Sequence, residues 1–444
     1  MSPLRSSDRE VKSFAVTGSR GSTWLWTAMV AIALLAVFIR LCLVFGRLSG
    51  HPPELLEYDE IARNLLSGQG YVYTHLHVPY RSYYAGVPYI WMTAGLYALF
   101  PPGYTAVLVA QAIIAALLAV VVFLIGRMVC GDRAGLIAAF LTATHPAFIY
   151  YDTHKLHPLG VDTLMACLAV LMLLRARRSS HGAVAWVAGV VLGVACLQRG
   201  SLLPFLPLAL LWLWRLKQPR QRALSFMLAS LMGTVLVISP WVVRNWRLHG
   251  SPGMLTTGGE HLWVGNAPQS LGSALLPSGE RVIDRSPPAL MAKVFAAQSE
   301  VEQSKLFFEA TIESVRANPW ATACKMLWKF VTFWTFAPQT GVLYPKSYLH
   351  LYAAYYVLMV ALAIWGLFWL AQTRIAGFDT AAGLLLILAL FASVSSIHAL
   401  YYSELRHRWG IEPLLLVLSA AGIQGIRQAV RTHTVNTSVA LPWR

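Results

Sequence analysis

Acidic residues are scarce in this chain. Its 444 residues hold 19 Asp plus Glu against 35 Lys plus Arg, and charged residues of both signs make up only 12%. A soluble domain of this length needs a more charged surface, so a water-soluble globular protein is excluded. Cysteine is sparse too. Cys42, Cys130, Cys167, Cys196 and Cys324 are scattered, mostly within apolar runs, with neither metal spacing nor a disulfide framework. There is no Walker loop, no Gly-x-Ser-x-Gly elbow and no dinucleotide fingerprint, hence no site for a soluble nucleotide. The histidines form no His-x-x-x-His cluster, and no internal repeat is visible.

Apolar sequence is what the chain has in excess, at 57%. Long apolar stretches recur from end to end, which predicts an all-α polytopic membrane protein with about ten spans (roughly nine to thirteen). The spans are expected near residues 24–46, 104–126, 134–151, 158–174, 183–197, 202–214, 224–243, 348–370, 380–400 and 410–426. Residues 183–214 are short enough to read as a tight hairpin. Residues 87–100 and 320–337, rich in Trp, Tyr and Pro, read as interfacial helices. The first apolar run is too long for a cleaved signal and lacks an A-x-A-like site, so it reads as a retained anchor.

The net charge of +16 could suggest nucleic acid, but its placement favours membrane-edge cations and no nucleic-acid partner. Arg5, Arg9, Lys12, Arg20, Arg127, Arg133, Arg175, Arg177, Arg178, Arg215, Lys217, Arg220, Arg222, Arg374, Arg427 and Arg431 all fall on one side. By the positive-inside rule that side is cytoplasmic. The expected organisation is a cytoplasmic tail at 1–23, a membrane domain at 24–427 and a second cytoplasmic tail at 428–444. Two large loops, 47–103 and 244–347, then lie outside a plasma or bacterial inner membrane.

The few carboxylates concentrate in the first of these loops. "PPELLEYDEIARNLLSGQGY" (52–71) carries Glu54, Glu57, Asp59 and Glu60. Ile61, Leu65 and Leu66 share a helical face and Gly68 follows as a stop, which predicts a short amphipathic helix on the membrane surface. Acidic residues at its start suit the positive helix N-terminus, and that alone accounts for some of them. The sharper reading makes one carboxylate a general base at the membrane boundary. The other external connections supply cations: Lys155 with Asp152 in "YYDTHKLHP", Arg199 in "QRG", Arg244 in "PWVVRNWRLHG", and Arg406 and Arg408 in "SELRHRWGIEP". A single membrane-edge arginine is usually a snorkelling anchor. Several on the face that carries the acidic loop could instead hold a phosphate. Together they point to a lipid-phosphate substrate whose tail lies in the bilayer.

These residues resemble those of the polytopic glycosyltransferases of the C-type fold, which use polyprenyl-phosphate sugars. The likeness is to the bacterial branch related to protein mannosyltransferases and lipid A aminoarabinose transferases. "EYDEIARNLLSGQGY", "ACLQRGSLLPFLPLALL", "SPWVVRNWRLHGSP" with "TTGGEHLWVGNAP", and "RHRWGIEPLLLVLSAAGI" carry the resemblance, in order, from about residue 24 to 427. The family's catalytic acid stands four residues before the Tyr that matches Tyr58, a place taken here by Glu54. Asp59 is the alternative, and a second acid of some relatives corresponds to Asp152. The family's Pro-Pro pair is only half matched, by Val87-Pro88. The resemblance implies inverting transfer of a sugar to an acceptor hydroxyl on a lipid, glycan or protein. Glu54 or Asp59 would act as base, with Tyr58, Lys155, Arg199, Arg244, Arg406 and Arg408 about the phosphate. No cofactor and no divalent metal are expected. A lipid or glycan transporter, a flippase or an O-antigen polymerase is the competing class. A transporter would place its charges near mid-membrane in paired halves.

Overall fold

The computed structural model describes residues 20–47, 52–82, 86–100, 103–217, 219–337, 344–372 and 377–439. The outer parts of the expected tails, 1–19 and 440–444, lie outside the described residues. Each expected span is a helix. They are α1 (Arg20–Arg47), α4 (Thr105–Cys130), the pair α5 (Asp132–Ala143) and α6 (Pro146–His154), α7 (Leu159–Arg178), α8 (Gly182–Gln198), α9 (Phe205–Leu216), α10 (Arg220–His249), α15 (Lys346–Gln372), α16 (Phe378–Leu400) and α18 (Glu412–Val439). Seven are long and apolar enough to cross a membrane, and α5 with α6, bent by 43°, can make one more crossing. Pro146 explains the bend, because it cannot donate to the preceding turn. α8 and α9 are shorter and are joined by a short turn, but each packs against α10 more than on the other, so the tight hairpin read at 183–214 does not form. The last helix differs from expectation, continuing to Val439 instead of ending near 426.

Small residues let these helices pack closely. A Cβ on Gly189 of α8 would stand 1.9 Å from the Ser230 carbonyl of α10, so only glycine fits there. At that contact Ser230 Oγ donates to Ala185 O at 2.7 Å and Thr234 Oγ1 to Gly189 O at 2.9 Å. Gly131, at φ 93°, makes the tight turn from α4 into α5.

Two buried ionic groups also join the helices. Arg40 of α1 meets Asp152 of α6 at 2.6 Å and donates to the carbonyls of Ala36 and Ala143. Arg408, on the one-turn helix α17 (Leu405–Trp409), meets Glu412 at 2.7 Å, and Glu412 also pairs with His145 at 2.8 Å. Such charges persist in an apolar interior only when their remaining hydrogen bonds are filled.

The bundle has two distinct ends. At one, Arg127 lies over Trp26 and pairs with Asp132, while Arg177 and Arg178 reach Asp379. At the other lies a cap built from both large loops. α2 (Glu57–Leu66), a hairpin of β1 (Tyr73–His75) and β2 (Val78–Tyr80), and α3 (Val87–Leu99) come from the first loop. α11 (Gly258–Asn266), α12 (Pro288–Ala296), α13 (Glu300–Ala317) and α14 (Pro319–Trp334) come from the second. The all-helical expectation missed the two-stranded hairpin, whose register pairs Tyr73 with Tyr80. It is pinned to the second loop: Tyr80 donates to Gln303 at 2.7 Å, and the Ser82 amide donates to Glu300 at 3.1 Å.

Candidate active site

A cavity of about 350 Å³ opens where the cap meets the ends of α7, α8 and α16. Its wall is assembled from residues far apart in sequence. Glu57 and Tyr58 come from the first turn of α2, Asp162 from the first turn of α7, Arg199 from the α8–α9 connection, His261 from α11, and Arg406 and His407 from α17.

Arg199 is held by a local network. Its NH1 lies 2.8 Å from Asp162 Oδ2, while Gln198 Nε2 donates to Asp162 Oδ1 at 2.6 Å. The Tyr89 amide in turn donates to Gln198 Oε1, which fixes the Gln198 amide orientation. Both carboxylate oxygens of Asp162 are therefore engaged, and its role is to orient Arg199. Arg406 is set in the same way. Its Nε lies 2.8 Å from Glu404, whose carboxylate also caps α17. Burial disfavours the Arg406 charge, but Glu404, Tyr402, Tyr151 and Tyr344 outweigh it, so its pKa rises above the ordinary guanidinium value.

Tyr58 and three histidines of the wall are neutral. Burial, reinforced by Glu57, raises the Tyr58 phenol well above its ordinary value. Burial, reinforced by Arg406 and Arg199, lowers His157 well below the ordinary imidazole range. His407 is lowered by burial and by His398. His261 is lowered by burial, against the pull of Glu260. The cavity thus combines two fixed guanidinium groups with neutral polar groups and the Glu57 carboxylate. That combination can hold an oxyanion beside a group able to take a proton.

Of the residues expected from sequence, Tyr58, Arg199 and Arg406 line this cavity. The others lie elsewhere. Glu54 is half exposed and pairs with Lys155 at 2.7 Å, across a short parallel bridge between the two backbones. Asp59 is buried, accepting from Arg63 at 2.9 Å and from the Tyr97 hydroxyl at 2.5 Å. Asp152 is taken by Arg40. Arg244 lies over Trp241 and donates to Arg81 O at 2.7 Å and Ser82 Oγ at 3.1 Å. Arg408 is fully buried and donates to Glu412, Tyr352 and the Phe333 and Thr335 carbonyls. The expected convergence of Arg199, Arg244 and Arg408 does not occur, because only Arg199 reaches the cavity. Arg244 and Arg408 spend their donors on the protein itself.

Sequence reasoning passed over Glu57, Asp162 and the histidines. Asp162 carried a usable signal, since a carboxylate inside an apolar span needs a nearby partner. Among the described residues, no group of three or more His, Cys, Asp or Glu side chains is arranged to hold a metal ion.

Residues 87–244 match the family model for dolichyl-phosphate-mannose-protein mannosyltransferases. No curated protein sequence matches the chain. Among solved structures, the chain is similar to the archaeal oligosaccharyltransferase AglB from Archaeoglobus fulgidus in complex with an inhibitory peptide and a dolichol-phosphate. That likeness has a TM-score of 0.56 at 14% identity and covers 96% of this chain and 53% of that one. The apo form of the Archaeoglobus fulgidus oligosaccharyltransferase gives the same TM-score of 0.56 at 14% identity, with 96% and 53% covered. This chain therefore spans about half the length of those structures. ArnT from Cupriavidus metallidurans bound to undecaprenyl phosphate shares 18% identity over 92% of this chain and 78% of that one, at a TM-score of 0.40.

Proposed function

Since the chain has the C-type fold of the polytopic glycosyltransferases, we propose that it transfers a sugar from a polyprenyl-phosphate donor to an acceptor hydroxyl. The observation that carries this reading is the meeting of Arg199 and Arg406 with the first-loop carboxylate Glu57 in one cavity at the ends of the spans. A lipid phosphate fits that position, with its chain in the bilayer and its head in the cavity. The dolichol-phosphate in the archaeal complex supports the same ligand class.

In the proposed step the acceptor oxygen attacks the anomeric carbon. The bond from that carbon to the phosphate oxygen breaks, its electron pair leaves with the polyprenyl phosphate, and the configuration inverts. Arg199 and Arg406 stabilise the charge that the phosphate gains, a preorganised electrostatic task. Glu57 takes the acceptor proton. It is preferred to Glu54 and Asp59 because it lies in the cavity wall and they do not. The remaining assignments follow from the expected orientation: a plasma or inner membrane, both termini cytoplasmic and the cavity external. The two guanidinium groups supply the positive charge that a divalent metal gives elsewhere.

The test is sugar transfer by purified protein from polyprenyl-phosphate sugars to a panel of acceptors. Wild type should transfer, and Arg406→Ala should lose roughly 10²-fold or more, the usual cost of removing one such stabilising group. Arg406→Lys, which keeps a charge beside Glu404, controls for folding. Full transfer by Arg406→Ala would defeat the proposal.

A further inference from the structure

Two histidines of the cavity have their tautomers set by the backbone. At His157 the Leu159 amide donates to Nδ1 at 3.1 Å, and at His407 the Glu404 amide donates to Nδ1 at 3.2 Å. A ring nitrogen that accepts carries no proton, so in the neutral ring the proton sits on Nε2. Burial keeps both rings neutral. Both line the cavity, and neither Nε2 has a protein acceptor among the described residues.

His398 provides the contrast. It stacks on His407 with ring centroids 4.0 Å apart, but its Nδ1 faces the Tyr402 carbonyl at 3.1 Å. Its proton is therefore on Nδ1, and its Nε2 is a buried acceptor without a partner. A second ring so close also disfavours charging His407. His157 is enclosed differently, edge to face with Tyr58 and Tyr151. The two N–H donors thus stand in a wall whose guanidinium groups each already carry a carboxylate.

Buried donors left without acceptors cost free energy that a ligand oxygen recovers. We infer that His157 and His407 donate Nε2–H hydrogen bonds to the oxygens of the lipid phosphate, acting as fixed neutral donors beside Arg199 and Arg406. This rests on the proposed reaction. When the sugar–phosphate bond breaks, the phosphate gains one negative charge, and preorganised neutral donors stabilise it without adding charge that would hold the product.

His407 allows a test in which structural and ligand-binding roles predict opposite rankings. Asparagine at 407 keeps an acceptor near the Nδ1 position for the Glu404 amide but offers nothing at Nε2. Glutamine places an N–H near the Nε2 position but gives up the cap. Binding of undecaprenyl phosphate to the purified full chain is measured together with kcat for sugar transfer. H407N should weaken binding and kcat by about 10-fold or more, and H407Q should recover most of that loss, even if it melts at a lower temperature. The reverse ranking would reduce His407 to a helix cap and overturn the inference. Equal losses in both variants, or none in either, overturn it too. If wild type binds the lipid phosphate but transfers no sugar, the proposed reaction fails, while the ranking of binding still decides the histidine's role.

Discussion

Glu54, Glu57 and Asp59 differ in where they lie. Glu54 is 2.7 Å from Lys155, and Asp59 takes two hydrogen bonds from Arg63 and Tyr97. Glu57 lies in the cavity wall. Losing a positioned general base costs about 10²–10⁴-fold in rate. Glu57→Gln should fall in that range, with Glu54→Gln and Asp59→Asn milder, in a side-by-side transfer assay. A larger loss in Glu54→Gln would return the role to the residue that the spacing before Tyr58 favours. The sequence offered this acidic stretch as a place for a base and offered Tyr58, Arg199 and Arg406 among the phosphate-site candidates, and these three line the cavity. Which carboxylate faces the cavity could not be read. It depends on the bridge between Glu54 and Lys155, a contact between segments about a hundred residues apart in the chain.

At the scale of elements, the helices were legible because each span is a long apolar run that nothing but a helix can carry through lipid. The second large loop was not, since α11 to α13 follow no simple apolar period. The different fates of Arg406 and Arg408 were hidden for a geometric reason. Two residues along a helix turn by about 200°, so one side chain enters the cavity while the other enters the core. Arg408 then joins α17 to α14, α15 and α18 through Phe333, Tyr352 and Glu412. Breaking a buried pair by removing one partner costs about 3–5 kcal/mol. Arg408→Met should therefore lower the melting temperature of the detergent-solubilised protein markedly. Undecaprenyl phosphate affinity of the folded fraction should stay near wild type. Loss of affinity without loss of stability would put Arg408 back at the phosphate.

For the whole molecule, the cap over the cavity is held with its histidines neutral, and this sets a pH dependence. His157, His261 and His407 all have pKa values lowered by burial. The unfolded chain binds their protons at about pH 6.5, while the folded chain resists them. Their contribution to stability is thus complete above the unfolded value and is lost as pH falls below it. Thermal melts should show a decline from about pH 6.5 to pH 5, smaller in a variant with glutamine at both His261 and His157. A flat profile would mean that these rings take up protons as readily in the folded chain as in the unfolded one.

The most direct test of the account is a structure of the full chain with a polyprenyl phosphate bound. The phosphate should lie in the cavity between Arg199 and Arg406, with Glu57 facing the sugar position. A phosphate held at Arg244, or at the opposite end of the bundle beside Arg133 and Arg427, would contradict it.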